Sequence, residues 1–468
     1  MSLPSTFTSE EAYFKAAVDF LRSYAWIYRE ANTACIKSLD AMPVQFKDYF
    51  LELTNKELNT FPFVHEHLDG CPTEVLRFRE QVAHLTPSIQ TAPTTACKAL
   101  TNDQSNHSRR MAPKKQHEIQ ELAANIHEHC ADRTQLIIDL GSGLGYLSEA
   151  LFKLNDNYMI LGLEADEKRV RSARIRSQQL LSPETHLSIS YQQLFVTAAE
   201  NCRSQIEQFA TELARSKGLT TKTATTTELS TTLIGLHACA DLSINAMLLF
   251  LSIPQVQCLH IMPCCYHKLA LTERGTFQNF PLSRALRSAM SADEALSFNR
   301  PFMRLACQQT NSRWRCDALK HTQHGTQMWT RALASALCDA NELVKVKRYN
   351  LAQNDSIQNN PLYEYVQQRF QLHSQQTGDP LDWRAVHEQR FAELTGRYSD
   401  GKGARLAEAL CCLQATIQQL CENVVLYDRL CYLQELAAVQ HLSVEVRYEK
   451  LFDEKLSPRC RVLIAEKL

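Results

Sequence analysis

The sequence predicts an α/β protein in which a parallel, doubly wound sheet lies between helical regions. Three observations carry the prediction. Short apolar runs alternate with segments of helical period between Lys115 and Met262. A glycine-rich turn, Asp139-Leu140-Gly141-Ser142-Gly143-Leu144-Gly145, joins one such run to a helix. On either side, apolar residues recur in steps of three and four.

Taken in order, residues 1–85 form a helical N-terminal region, with Phe14, Val18 and Leu21 at helical spacing and Pro43 and Pro62 punctuating later segments. Residues 86–113 turn to Thr, Ser, Pro, Asn and Gln, the composition of a linker. From 91 to 115 the chain carries Lys98, Arg109, Arg110, Lys114 and Lys115 against the single acid Asp103, a local basic run.

The α/β core spans 114–311. Ile119, Leu122, Ala123 and Ile126 share one helix face, and Leu136-Ile137-Ile138 is a short buried strand. The segment after Gly143 to Leu154 is a helix, Met159 to Leu163 a second strand, and Glu167 to Leu181 an Arg-rich helix. His186 to Ser190 is a weaker third strand; Thr231 to Leu236 and Val256 to Met262 are the fourth and fifth. The low-complexity stretch Thr220 to Thr227 reads as a surface insertion.

Residues 312–440 are a helical insertion. Leu406, Leu410, Leu413, Ile417, Leu420, Val424 and Tyr427 mark one long helix, and apolar residues on its other faces make it a buried packing helix rather than a coiled coil. Leu442 to Tyr448 and Arg461 to Ala465 are strand-like, so 441–468 reads as a closing β-hairpin of the core.

Bulk properties narrow the function classes. A chain of 468 residues exceeds one ordinary core. It is 44% hydrophobic and 22% charged with formal net charge −1, so no global field attracts nucleic acid or a membrane surface. Seventeen scattered cysteines, including Cys264-Cys265 and Cys411-Cys412, do not form a secreted disulfide framework. Reduced thiols fit a cytoplasmic or nuclear location. Met1 to Phe20 has acidic residues and no continuous apolar core, which argues against a signal peptide. No stretch approaches the ~20 apolar residues that span a bilayer, so no membrane partner is expected.

The glycine turn carries the strongest chemical signal. Glycine reaches φ values closed to other residues and lets a ligand approach the backbone, and the helix beyond offers free N–H groups to an anion. Glu164 ends the second strand, where an acid can accept from both hydroxyls of a ribose. Gly-x-Gly-x-Gly differs from the Gly-x-Gly-x-x-Gly of nicotinamide enzymes and resembles the first motif of S-adenosylmethionine-dependent methyltransferases. Asp139, Gly141, Gly143, Gly145 and Glu164 are therefore the candidate cofactor-binding residues.

Two further clusters follow strands four and five: Gly235-Leu236-His237-Ala238-Cys239-Ala240-Asp241-Leu242 and Pro263-Cys264-Cys265-Tyr266-His267-Lys268-Leu269. Ligands of open parallel sheets lie beyond the carboxyl ends of the strands, which puts both clusters beside the glycine turn. His237 and His267 are candidate general bases, and Tyr266 a candidate platform for a planar acceptor. Adjacent Cys264-Cys265 lacks the Cys-x₂-Cys spacing of structural zinc modules, so no metal ligands are assigned.

The chain resembles the methyltransferase-like protein 25 family, which includes ribosomal RNA adenine dimethylase domain-containing relatives. The matching residues are Lys114-Lys115-Gln116-His117-Glu118, Asp139 to Ser148, Gly235 to Leu242, Cys264 to Leu269, Phe280-Pro281-Leu282-Ser283, Leu430-Cys431-Tyr432-Leu433-Gln434-Glu435, Leu451-Phe452-Asp453 and Leu456-Ser457-Pro458-Arg459. The resemblance implies a Rossmann-like class I methyltransferase sheet and S-adenosyl-L-methionine as cofactor. It also implies that the helix opening at Lys114 lies over the cofactor, within reach of Lys115 or His117. Adenine N6-methyltransferases generally carry an Asn/Asp-Pro-Pro-Tyr-like motif after the fourth strand, where this chain reads Leu236-His237-Ala238-Cys239. The Cys-Cys-Tyr-His run is similar to one in a tRNA ribose 2′-O-methyltransferase family. The reading is an intracellular S-adenosylmethionine-dependent methyltransferase whose leading acceptor is RNA, with a protein acceptor or a non-catalytic S-adenosylmethionine-binding scaffold as alternatives.

Overall fold

The computed structural model of the chain describes residues 3, 4, 6–63, 70–87, 111–180, 188–218, 229–308, 314, 318–347, 362–398 and 401–468. Most of the linker 86–113, with Lys98, Arg109 and Arg110, lies outside the described residues, as does Thr220 to Thr227. Two compact units emerge. The first comprises 1–18, 85–309 and 420–468, and the second 19–84 and 310–419.

The strands are β1 (Leu136–Leu140), β2 (Met159–Glu164), β3 (Ile189–Gln193), β4 (Thr231–Cys239), β5 (Val256–Cys264), β6 (Glu342–Val346), β7 (Phe370–Ser374), β8 (Pro380–Leu381), β9 (Val444–Lys450) and β10 (Arg461–Lys467). Seven of them build the sheet of the first unit in the order β3-β2-β1-β4-β5-β10-β9. β1 to β5 pair in parallel, whereas β10 runs antiparallel to both β5 and β9. Every residue of β1 and β2 is buried, as the near-continuous apolar sequence of a sheet covered on both faces requires.

The helices between the strands are α1 (Pro113–Cys130), α2 (Tyr146–Leu154), α3 (Glu167–Leu180), α4 (Glu200–Ser216) and α5 (Leu242–Ser252). Pro113 opens α1, where a missing N–H costs nothing. Ile119, Leu122, Ala123 and Ile126 of α1 pack with Leu147 and Leu151 of α2 and with Ile137, Ile160 and Ile234 of the sheet. The order reverses at β1: β2 and β3 lie on one side, β4 and β5 on the other. This is the switch point where such sheets open a ligand crevice. The fold is a Rossmann-like methyltransferase fold.

The third strand begins at Ile189, later than its predicted start at His186; residues 186 and 187 lie outside the described residues. Tyr191 explains the register. It sits opposite Gly162 of β2, and a Cβ on Gly162 would come within 2.4 Å of its ring. β4 and β5 run on to Cys239 and Cys264, which brings those thiols to the sheet's carboxyl edge.

The second unit is mostly helical, but β6, β7 and β8 form a three-stranded antiparallel sheet within it. The reading of this region as mostly helical did not single out these strands, which are only two to five residues long, too short for a clear alternation. Phe20, Tyr24, Phe46 and Phe78 form an aromatic cluster in this unit, with Tyr24 and Phe78 centroids 4.9 Å apart. The long helix α6 (Lys402–Val439) is buried on all sides from Leu406 to Leu413 and again from Leu420 to Cys431. This agrees with its predicted packing role.

Candidate active site

Gly141, Gly143 and Gly145 all adopt positive φ, at 72°, 59° and 78°. Backbone bonds wind the turn tightly: the amides of Gly141 and Ser142 both donate to Leu163 O, and Gly145 N donates to Ser142 O. The three glycines serve different needs. A Cβ on Gly145 would lie 2.2 Å from the Tyr191 hydroxyl, so packing forbids it. A Cβ on Gly143 would meet nothing nearer than Gly141 O at 4.0 Å, so this residue leaves space on the ligand side. Gly145 is also the N-cap of α2 and has no side chain to satisfy the helix's first N–H groups.

Glu164 is buried at the end of β2. Its Oε2 accepts the Gly143 N–H at 3.0 Å and its Oε1 the Asp166 N–H at 3.1 Å. An ionised carboxylate has roughly four acceptor sites, so both oxygens keep capacity for ribose hydroxyls. Asp139 is also buried, and its Oδ2 accepts from Ser148 Oγ at 2.8 Å. Burial, opposed by Ser148 and reinforced by Glu164, pushes its carboxyl up to about 7. Asp139 thus ties the end of β1 to the first turn of α2. The buried Ser142 Oγ has no hydrogen-bond partner among the described residues.

The beginning of α1 lies beside this turn. Lys115 Nζ is 3.8 Å from the centre of the Tyr146 ring, and the Arg176 guanidinium is 3.9 Å from it. Burial first, then Arg176 nearby, lowers the Lys115 ammonium from its ordinary value. His117 faces the C-terminal segment instead, where its Nε2 accepts the Asp453 N–H at 3.1 Å and its ring meets Phe452.

β4 changes register against β5 between Gly235 and Ala238. Such irregularities re-aim side chains, and here His237 stands exposed while Ala238 returns to the interior. His237 Nε2 is 3.5 Å from Glu118 Oε2. Glu118 is buried, accepts from Ser457 Oγ at 2.7 Å, and has Lys114 at 3.7 Å. Burial raises its carboxyl, but His237, Ser457 and Lys114 together outweigh this and hold it below the usual range. Sequence reading passed over Glu118. Its signal was an acid four residues before Leu122, on the apolar stripe of α1.

The cluster after β5 divides. Cys239 and Cys264, partners in register, have Sγ atoms 2.9 Å apart, and Arg459 Nη1 is 3.6 Å from Cys265 Sγ. Hydrogen bonding from Cys264, then the nearby Arg459, outweigh burial and push the Cys265 thiol down to about 5. His267 is half-buried with Nδ1 3.2 Å from Cys307 Sγ, and burial lowers it from its ordinary value. Tyr266 is 1% exposed: its ring packs under Arg429 at 4.9 Å and its hydroxyl lies 3.4 Å from Glu422. That placement packs Tyr266 against α6.

Two acids, the half-buried Asp241 and the buried Asp428, fasten the surrounding loops. Asp241 accepts from Ala270 N at 3.1 Å and Asn279 Nδ2 at 2.7 Å. Asp428 accepts from Leu282 N, Ser283 N and Ser283 Oγ at 2.7–2.9 Å.

The residues present fit S-adenosylmethionine: an uncapped helix start for its carboxylate, open space over Gly143, and an acid at the end of β2 for its ribose. Fold and site define an S-adenosylmethionine-dependent methyltransferase. Residues 114–272 match a family model described as a methyltransferase domain, and that stretch holds the glycine turn, Glu118, Glu164, His237 and the cysteine cluster. The chain is also similar to solved structures of plantazolicin methyltransferases. One is BpumL with a triazolic desmethylPZN analog and SAH, at 11% identity and TM-score 0.21, over 63% of this chain and 88% of that one. Another is BpumL with SAH, at 13% and 0.22, over 70% and 96%. A third is BamL with the same kind of analog and SAH, at 10% and 0.21, over 75% and 91%. Among the described residues, no helix is long and apolar enough to cross a membrane.

Proposed function

We propose that the chain methylates RNA at a nitrogen or oxygen presented over the carboxyl ends of β4 and β5, with His237 as general base. The observation that carries this is the pair formed by His237 and the buried Glu118, set beyond the glycine turn on the ligand edge of the sheet. The bound cofactor supplies an activated methyl group, so the protein's work is alignment, exclusion of water and removal of one proton. Asp139, Gly141, Gly143, Gly145 and Glu164 hold the cofactor's end of the crevice. His237 takes the acceptor's proton as the methyl bond forms, while Glu118 orients the ring and faces the charge it gains. His267 stands further along the same edge as a second polar contact for the acceptor.

RNA is favoured by the cations around the turn, where Lys115 and Arg176 flank Tyr146 and Arg169 lies 3.9 Å from Glu164. It is also favoured by the resemblance to the methyltransferase-like protein 25 family, to which we assign the chain. Motifs of that resemblance, distant in sequence, meet in space: His117 with Asp453, and Glu118 with Ser457. The test incubates the full chain with S-adenosylmethionine carrying a tritiated methyl group and with fractionated cellular RNA and protein. Label in RNA is expected. Label confined to protein would move the acceptor class, and no label despite bound cofactor would leave a non-catalytic scaffold.

A further inference from the structure

We propose that Cys239, Cys264 and Cys265 together bind one Zn²⁺ ion as thiolates at the carboxyl edge of β4 and β5. Their three Sγ atoms lie within 4.8 Å of one another. The fold supplies what sequence spacing lacks. Cys239 and Cys264 end adjacent parallel strands and are direct partners in register. Consecutive residues of a strand face opposite ways, so Cys264 and Cys265 would ordinarily diverge. Cys265 instead adopts the left-handed conformation, with φ of 50°, which breaks the alternation and returns its sulfur to the same side.

Distance and charge agree with a metal site. All three cysteines are free. The 2.9 Å between Cys239 and Cys264 is longer than the ~2.05 Å of a disulfide. Zn–S bonds of ~2.3 Å at tetrahedral angles place sulfurs ~3.8 Å apart, so a small spreading of this pair admits the ion. Zn²⁺ with three thiolates carries one net negative charge. Arg459, 3.6 Å from Cys265 Sγ and with a buried Nε that has no hydrogen-bond partner among the described residues, compensates it. Binding releases whatever protons the thiols carry, and three protein ligands leave the fourth place for water or another small donor.

The test uses the full chain, reduced and stripped of metal by a chelator, titrated with Zn²⁺ alone and with Co²⁺ as a spectroscopic probe. One ion per chain is expected, with the thiolate-to-Co²⁺ charge-transfer and tetrahedral ligand-field bands of a sulfur-rich site. Cys239→Ser and Cys265→Ser should lose stoichiometric binding, while Cys202→Ser, in α4, keeps it. Arg459→Gln should bind about 10- to 100-fold more weakly. Protection of three thiols from a maleimide by Zn²⁺ in the parent gives a readout that needs no variant to fold. The proposal is overturned by a reduced parent that takes up no Zn²⁺, by variants that keep full stoichiometry, or by thiols that stay unprotected.

Discussion

Glu164 Oε2 accepts the Gly143 N–H at 3.0 Å, so the acid expected to hold the ribose also fastens the glycine turn proposed to hold the cofactor. A hydrogen bond to a charged group is worth about 1.5–3 kcal/mol. Glu164→Ala should therefore weaken S-adenosylmethionine binding by about tenfold or more. It should also speed hydrogen exchange at the Gly143 amide in the cofactor-free protein. Parental affinity in a folded variant would mean that the ribose is held elsewhere.

The glycines of the turn should respond differently to a methyl group. Both Gly143→Ala and Gly145→Ala incur the left-handed penalty of about 1–2 kcal/mol. Only at Gly145 does the new Cβ also collide with Tyr191, which adds about 1–3 kcal/mol. Denaturant unfolding should find Gly145→Ala the less stable variant. Equal stabilities would contradict the packing role given to Tyr191.

How much of this was legible in the sequence differs from element to element. β1 and β2 were plain because both faces are buried, and unbroken apolar runs such as Leu136-Ile137-Ile138 record that directly. β3 runs on past its predicted end at Ser190 to Gln193, and Tyr191 in that extension fills the notch left by Gly145 and Gly162, a tertiary fit that no local pattern encodes. His237 was singled out, but its partner Glu118 was not, since the pair spans α1 and β4. Tyr266 looked like a site residue beside His267, yet adjacent residues leave a turn in different directions, and only contacts with Glu422 and Arg429 reveal which way it points.

The His237–Glu118 pair should matter for transfer and not for cofactor binding. Once an acceptor is in hand, His237→Ala should cut methyl transfer about 10²-fold and leave S-adenosylmethionine affinity within about twofold of the parent. Glu118→Gln should give a smaller loss of the same kind. Transfer at the parental rate in His237→Ala would remove this histidine from the chemistry.

Asp139 should leave a mark on stability as pH changes. Burial raises its folded-state carboxyl to about 7, against about 3.9 for an ordinary Asp. Between these values the folded chain keeps a proton that the unfolded chain releases, so this group makes stability fall as pH rises from about 4 to about 7. Asp139→Asn removes that component. Melting of the cofactor-free proteins should show the variant gaining on the parent from pH 5 to pH 8, and a constant difference would contradict the assignment.

Calorimetric titration of the full chain tests most directly whether the crevice above Gly143 holds S-adenosylmethionine. The parent should bind one molecule per chain. Gly143→Arg should show no binding while keeping a cooperative melting transition, because its side chain fills the space that Gly143 leaves open. A folded parent that gives no binding, or a Gly143→Arg variant with unchanged affinity, would contradict the account.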